Sequence, residues 1–124
     1  MRDVVVFSGN AHTALATSIC DHLGVTLSDT AISRFSNDCL QAQLLGNCRQ
    51  RDVYIVQPLV PPTQDSLMEL LLMIDAARGA SASQITAVIP HFAYARSDKK
   101  DASRISLGGR LVADLISTAG APRV

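Results

Sequence analysis

A chain of 124 residues with a formal net charge of zero is long enough for one domain with a real core and too short for two. Its 18% charged residues, two Tyr and three Phe leave no basic face with stacking aromatics for nucleic acid, and no apolar run reaches the roughly 18 residues of a membrane span. The three cysteines, an odd number behind no signal-peptide start, argue for reduced thiols and a cytoplasmic setting; neither they nor the three histidines have zinc-ligand spacing, so no metal ligands are assigned.

Val4 to Phe7 is a short apolar run that reads as a buried strand, broken by Ser8-Gly-Asn10, which can cap the next element. A helix is expected over Ala11 to Leu23, on Ala14, Leu15, Ile19 and Leu23, with Gly24 as its left-handed C-terminal cap. His12 and His22 read as helix-surface residues. Thr30 to Leu45 reads as two strands around the polar loop Arg34 to Asp38, a projecting hairpin. Val53 to Val56 is a second buried strand, stopped by Pro58 and Pro61-Pro62. Ser66-x-x-Glu69 has the form of a capping box before a helix over Leu67 to Ala77, closed by Gly79. The apolar residues of that helix run all round it, which predicts burial by the sheet and another helix, or by a second subunit.

Ile85 to Ile89 is the third buried strand, and Pro90 to Arg104 is a charged loop. A last helix is expected over Leu107 to Ala119, on Leu107, Leu111, Leu115 and Ile116, closed by Gly120. Ala121 to Val124 then resembles the entry to a further strand. Strands alternating with helices predict a mostly parallel sheet with helices on both faces.

In such sheets ligands bind beyond the carboxyl ends of the strands, which is where the charged loop falls. Arg96, Lys99, Lys100 and Arg104 lie within nine residues, interleaved with only Asp98 and Asp101, a composition suited to a polyphosphate. Neither Gly-x-x-x-x-Gly-Lys-Ser/Thr nor Gly-x-Gly-x-x-Gly is present, so side chains must do the holding. The plainer alternative is a solvated loop whose charges do nothing. Phe35 beside Asn37 can stack on a base face and bond its edge, or be a core Phe next to an Asn turn. Arg49 by itself suits a surface ion pair, and His91 suits packing near the site.

Tyr94-Ala-Arg-Ser-Asp-Lys-Lys-Asp-Ala-Ser-Arg104 resembles the loop of ribose-phosphate pyrophosphokinases. Val6 to Asn10, Arg34 to Asn37, Asp52 to Gln57, Asp65 to Leu71 and Ser81 to Pro90 agree in order, and the resemblance is to the amino-terminal half of that family. It implies a three-layer α/β/α sandwich, phosphoribosyltransferase-like, with a projecting β-hairpin. It implies transfer of pyrophosphate from MgATP to ribose 5-phosphate, giving phosphoribosyl pyrophosphate and AMP. By the same resemblance Arg96, Ser97 and Asp101 contact ATP, Lys100 and Arg104 act in catalysis, and Phe35 and Asn37 hold the base in a neighbouring subunit's site. Asn47, Arg49, Ser81, Lys99 and Ser103 correspond to the regulatory nucleotide and phosphate site.

The pattern departs from the family at Cys39, where Glu is usual, at Asn47 (Ser), Ser97 (Gln), Ala102 (a basic residue) and Ser106 (Pro). The family's metal-binding His and ribose-phosphate loop have no counterpart in these 124 residues. The expectation is therefore an amino-terminal domain, inactive alone, whose carboxy-terminal catalytic domain is absent from the chain. Cofactor and partners are expected to be Mg²⁺, ATP, ribose 5-phosphate and like subunits, in a hexamer built from dimers. The rivals are a non-catalytic subunit associated with true synthetases and a stand-alone nucleotide sensor.

Overall fold

The apolar runs pair side by side in one direction. A computed structural model, which describes residues 3–96 and 102–124, shows in chain order β1 (Val4–Ser8), α1 (Thr13–Leu23), β2 (Thr30–Arg34), β3 (Leu40–Leu44), β4 (Asp52–Val56), α2 (Thr63–Gly79), β5 (Gln84–Val88) and α3 (Gly108–Ala119). The central sheet is parallel with order β1-β4-β5, and Val5 stands opposite Val53, which stands opposite Ile85. Single parallel bridges extend it at both edges, Leu27 on Val6 and Arg123 on Thr86. Ala121 to Val124 thus begins a strand-like pairing on β5, as its composition suggested.

Alternation along each strand divides the core into two layers. Val5, Phe7, Val53, Ile55, Ile85 and Ala87 pack with Leu70, Met73, Ile74 and Ala77 of α2 and Val112 and Ile116 of α3. Val6 and Val56, with Val4, Tyr54 and Val88, pack on the other face with Ala16, Ile19 and Cys20 of α1. A strand apolar on both faces reads as a continuous run, and for that reason these three were legible. The second layer is the thinner one. Beside α1 it leaves an apolar cavity of about 330 Å³ lined by Val4, Val6, Ile19, Leu23, Tyr54, Val56 and Val88.

Strands β2 and β3 form their own antiparallel sheet, with Thr30 opposite Leu44 and Arg34 opposite Leu40. Ile32, Ala42 and Leu44 pack against the core beside α2, so the hairpin body is docked and its tip is exposed. The cover on α2 comes from this chain: the sheet below, β3 on one flank and α3 on the other, while Met68 stays exposed.

Three local expectations are corrected. Helix α1 starts at Thr13, and its cap is His12, whose Nδ1 accepts from the Leu15 amide at 3.0 Å, not Ser8 to Asn10. Gly24 closes it at φ 75° as expected. Helix α2 starts at Thr63, so Ser66 and Glu69 form no capping box. Ser66 Oγ donates to the Val60 carbonyl at 2.8 Å, and Glu69 reaches across to the β1–α1 loop. Helix α3 buries Ile116 as expected and Val112 in addition, while Leu111 and Leu115 of the expected stripe are exposed, because the helix meets α2 through its Val112–Ile116 side.

Candidate functional site

The carboxyl ends of β1, β4 and β5 open onto loops 9–12, 57–62 and 89–96, and a buried amide joins the first two. Gln57 is wholly buried at the end of β4. Its Oε1 accepts from the Ala11 amide at 3.2 Å, and its Nε2 donates to the Ser66 carbonyl at 3.3 Å and Glu69 Oε1 at 3.2 Å. Glu69 Oε1 also accepts from the Asn10 amide at 3.0 Å. Gly9 lies against this carboxamide, with no room for a methyl group. The loops after β4 and β5 are joined through their backbones, Leu59 donating to the His91 carbonyl at 2.8 Å. The His91 side chain is exposed rather than packed, so its contribution here is the main chain.

The hairpin tip is tied into one conformation. Phe35 donates to the Cys39 carbonyl at 2.7 Å, Asp38 to the Phe35 carbonyl at 2.9 Å, and the Cys39 amide to Asn37 Oδ1 at 3.1 Å. Asp38 takes the left-handed backbone, φ 75°, which Asp tolerates better than most side chains. Arg34 forks across the base of the tip. Its Nη1 donates to the Asp38 carbonyl at 2.9 Å and Oδ1 at 3.1 Å, and its Nη2 reaches Asp65 Oδ2 of α2 at 2.8 Å. Partial desolvation works to lower the Arg34 pKa, but the charge of Asp65 and then the bond and charge of Asp38 outweigh it and leave it raised. Phe35 is 51% exposed, so it belongs to the presented surface and not to the core. Asn37 is exposed with its oxygen already engaged, leaving its Nδ2 to donate outward.

Arg96 is exposed at the end of a turn in which Ala95 donates to the Phe92 carbonyl at 3.0 Å. Phe92, Ala93 and Tyr94 are half-buried against the core, and the Tyr94 hydroxyl accepts from Gln64 Nε2 at 3.0 Å. The expected roles of Ser97, Lys99, Lys100 and Asp101 lie outside the described residues. Ser103 and Arg104 are exposed, Arg104 at φ 58°.

Asn47, Arg49 and Ser81 sit at the opposite edge, where β4 and β5 begin. Asn47 Oδ1 accepts from the Arg49 amide at 3.1 Å, and the Gln50 amide donates to the Ser81 carbonyl at 2.9 Å. Gln50 and Ser81 both hold left-handed backbones, φ 57° and 65°, a conformation side chains other than Gly avoid. The structure thus brings these three together and separates them from Arg96 by the length of a five-residue strand, about 16 Å. Among the described residues no three His, Cys, Asp or Glu side chains gather as a metal site.

Sequence reasoning missed Gln57, Glu69, Arg34, Gln64 and the Tyr94 hydroxyl. A signal existed for Gln57, a polar residue closing an apolar strand run, but its partners lie 9 to 46 positions away. Nothing in the local pattern names them.

Over residues 4–120 the chain matches the family model for the N-terminal domain of ribose phosphate pyrophosphokinase. It is 68% identical over its whole length to a putative ribose-phosphate pyrophosphokinase of Streptomyces coelicolor, of which it covers 39%. It is 54% identical over 121 residues, 98% of the chain, to a ribose-phosphate pyrophosphokinase of Deinococcus radiodurans, of which it covers 38%. Among solved structures, the crystal structure of phosphoribosylpyrophosphate synthetase from Mycobacterium smegmatis superposes on 96% of the chain and 40% of its own, with a TM-score of 0.92 at 38% identity. The chain therefore spans about two-fifths of the length of the relatives it matches.

Proposed function

This chain belongs to the family of N-terminal domains of ribose phosphate pyrophosphokinases, and from that premise we propose that it is the nucleotide-holding part of an enzyme subunit that transfers pyrophosphate from MgATP to ribose 5-phosphate. The single observation that carries the proposal is the match over residues 4–120, with 68% identity to a relative of that name. In the reaction the 1-hydroxyl oxygen of ribose 5-phosphate attacks the β-phosphorus in line, the bond from the β-phosphorus to the AMP oxygen breaks, and the hydroxyl proton is lost. Such a transfer asks chiefly for positioning and charge neutralisation.

The described residues suit that task at two points. Arg96 projects from an anchored turn beyond β5 and forks to phosphate oxygens, while Phe35 offers a ring face and Asn37 a donor on a preset tip. Ser97, Lys99, Lys100 and Asp101 complete the phosphate loop with Ser103 and Arg104, of which Lys100 and Arg104 act in catalysis. Mg²⁺ accompanies the triphosphate in this reading and neutralises its charge. The hairpin serves a neighbouring subunit of an oligomer built from dimers, a role supported by the exposure of Phe35 on a tip its own chain leaves uncovered. Asn47, Arg49 and Ser81 are the regulatory residues at the opposite edge of the sheet, and Lys99 and Ser103, which belong to the phosphate loop, join them from another subunit of the oligomer.

One observation favours a second reading, a non-catalytic subunit that joins true synthetases. The tip carries Cys39, exposed and without a carboxylate, next to an Asn37 oxygen already occupied. Incubating the native-length protein with MgATP and ribose 5-phosphate separates the two. AMP formed one for one with phosphoribosyl pyrophosphate, and lost at least tenfold in Arg96→Ala, is the expected result. ATP binding without AMP establishes the associated subunit, and turnover indifferent to Arg96→Ala overturns the site.

A further inference from the structure

Both candidate nucleotide-binding elements hang from the same turn of one helix. Asp65 and Gln64 are consecutive residues at the start of α2. Asp65 Oδ2 accepts from Arg34 Nη2 at 2.8 Å, and Arg34 also holds the hairpin turn through the Asp38 carbonyl and carboxylate. Gln64 Nε2 donates to the Tyr94 hydroxyl at 3.0 Å, two residues before Arg96. The turn itself is fixed from below. Ser66 donates to the Val60 carbonyl, its own carbonyl accepts from buried Gln57, and Glu69 holds the Asn10 amide and Gln57 Nε2.

The geometry points to the first turn of α2 as a positioning anchor: Asp65, acting through Arg34, aims Phe35 and Asn37, and Gln64, acting through Tyr94, holds the loop that presents Arg96. Arg34, Gln64 and Tyr94 are positioning residues, and none of them needs to touch the nucleotide. Exposed single ion pairs do little, but Arg34 makes three bonds to two partners from one planar fork. Lysine, a point charge on a flexible stem, cannot span both partners. A tip so held matters most at the nucleotide, where small misplacements of a binding group cost far more than they cost the fold.

This inference rests on the proposed nucleotide site, and its test keeps the two apart. In the native-length protein, KM for ATP and kcat are measured at saturating ribose 5-phosphate for Arg34→Gln, Arg34→Lys, Tyr94→Phe, Phe35→Ala and Arg96→Ala, and for the doubles Arg34→Gln/Phe35→Ala and Tyr94→Phe/Arg96→Ala. Arg34→Gln and Tyr94→Phe are expected to raise KM for ATP roughly three- to tenfold with kcat within about twofold, and Arg34→Lys to fail as a rescue. Each double should show the KM of its binding-residue variant alone, because the tether acts only through that residue. Asp65→Asn, which breaks the same pair from the helix side, stands in for Arg34→Gln if that chain does not fold. Wild-type KM in Arg34→Gln and Tyr94→Phe, or doubles whose effects multiply, overturns the anchor. Wild-type KM in Phe35→Ala and Arg96→Ala overturns the nucleotide site itself.

Discussion

Replacing Gly9 with alanine is expected to destabilise the fold by about 2 kcal/mol, through one contact. A methyl at Gly9 would overlap the Gln57 carboxamide, and neither side can give way. Gly9 donates to the Val56 carbonyl at 3.1 Å, and Gln57 is wholly buried with three hydrogen bonds. Overpacking a fixed site costs about 1 to 3 kcal/mol. Rotating the amide away instead unpairs the part-buried Ala11 amide, at about 1 to 3 kcal/mol, while the Ser66 carbonyl keeps its helical bond from the Leu70 amide. Gln57→Ala alone is expected to cost about 3 kcal/mol on the same scale. Once the side chain is gone the methyl has room, so Gly9→Ala in the Gln57→Ala background is expected to change stability by less than about 0.5 kcal/mol. Equilibrium urea unfolding followed by circular dichroism measures the four corners of the cycle, provided the slope with urea stays constant. Two costs that simply add would show that the carboxamide is not what excludes a side chain from Gly9.

Ile116→Ala, which empties a fully buried site between α3 and α2, is expected to cost about 2 to 5 kcal/mol, and Leu111→Ala on the exposed face within about 0.5 kcal/mol; equal losses in thermal melts would return Leu111 to the buried face with Ile116. For the thiols, burial and then the charge of Asp21 push Cys20 up, and burial pushes Cys48 up against the opposing charge of Arg51. An alkylating reagent should therefore modify Cys39 alone in the native protein and all three cysteines in denaturant, as mass spectrometry counts them. The same shifts set a pH dependence. Below the ordinary thiol pKa, about 8.5, both states hold their protons and stability is flat in this term. As pH rises from there toward the raised folded values, the unfolded chain ionises first and stability falls. Unfolding midpoints that climb between about pH 8.5 and 10 in wild type relative to Cys20→Ala would contradict it.

The strands, the helices and their order could be read directly, because each is a local pattern. Val4 to Phe7, Val53 to Val56 and Ile85 to Ile89 are near-continuous apolar runs, Gly24 closes α1 at φ 75°, and a polar stretch between two short strands makes the hairpin. The candidate site was legible only where the motif itself is chemical, as at Phe35, Asn37 and Arg96. Its scaffold was not. Ser66 and Glu69 have the spacing of a capping box, yet α2 begins three residues earlier and both side chains serve partners outside the helix. The expected stripe held Ile116 together with Leu111 and Leu115, and only the position of α2 buries Ile116 with Val112 and leaves the two leucines outside. Arg34 and Asp65 are 31 residues apart, and Gln64 and Tyr94 30. Periodicity and capping act over a few residues of chain, so the sequence by itself determines the elements and their order. A hydrogen bond across the fold depends on where two elements come to lie, and that is decided only when the sheet and α2 pack together.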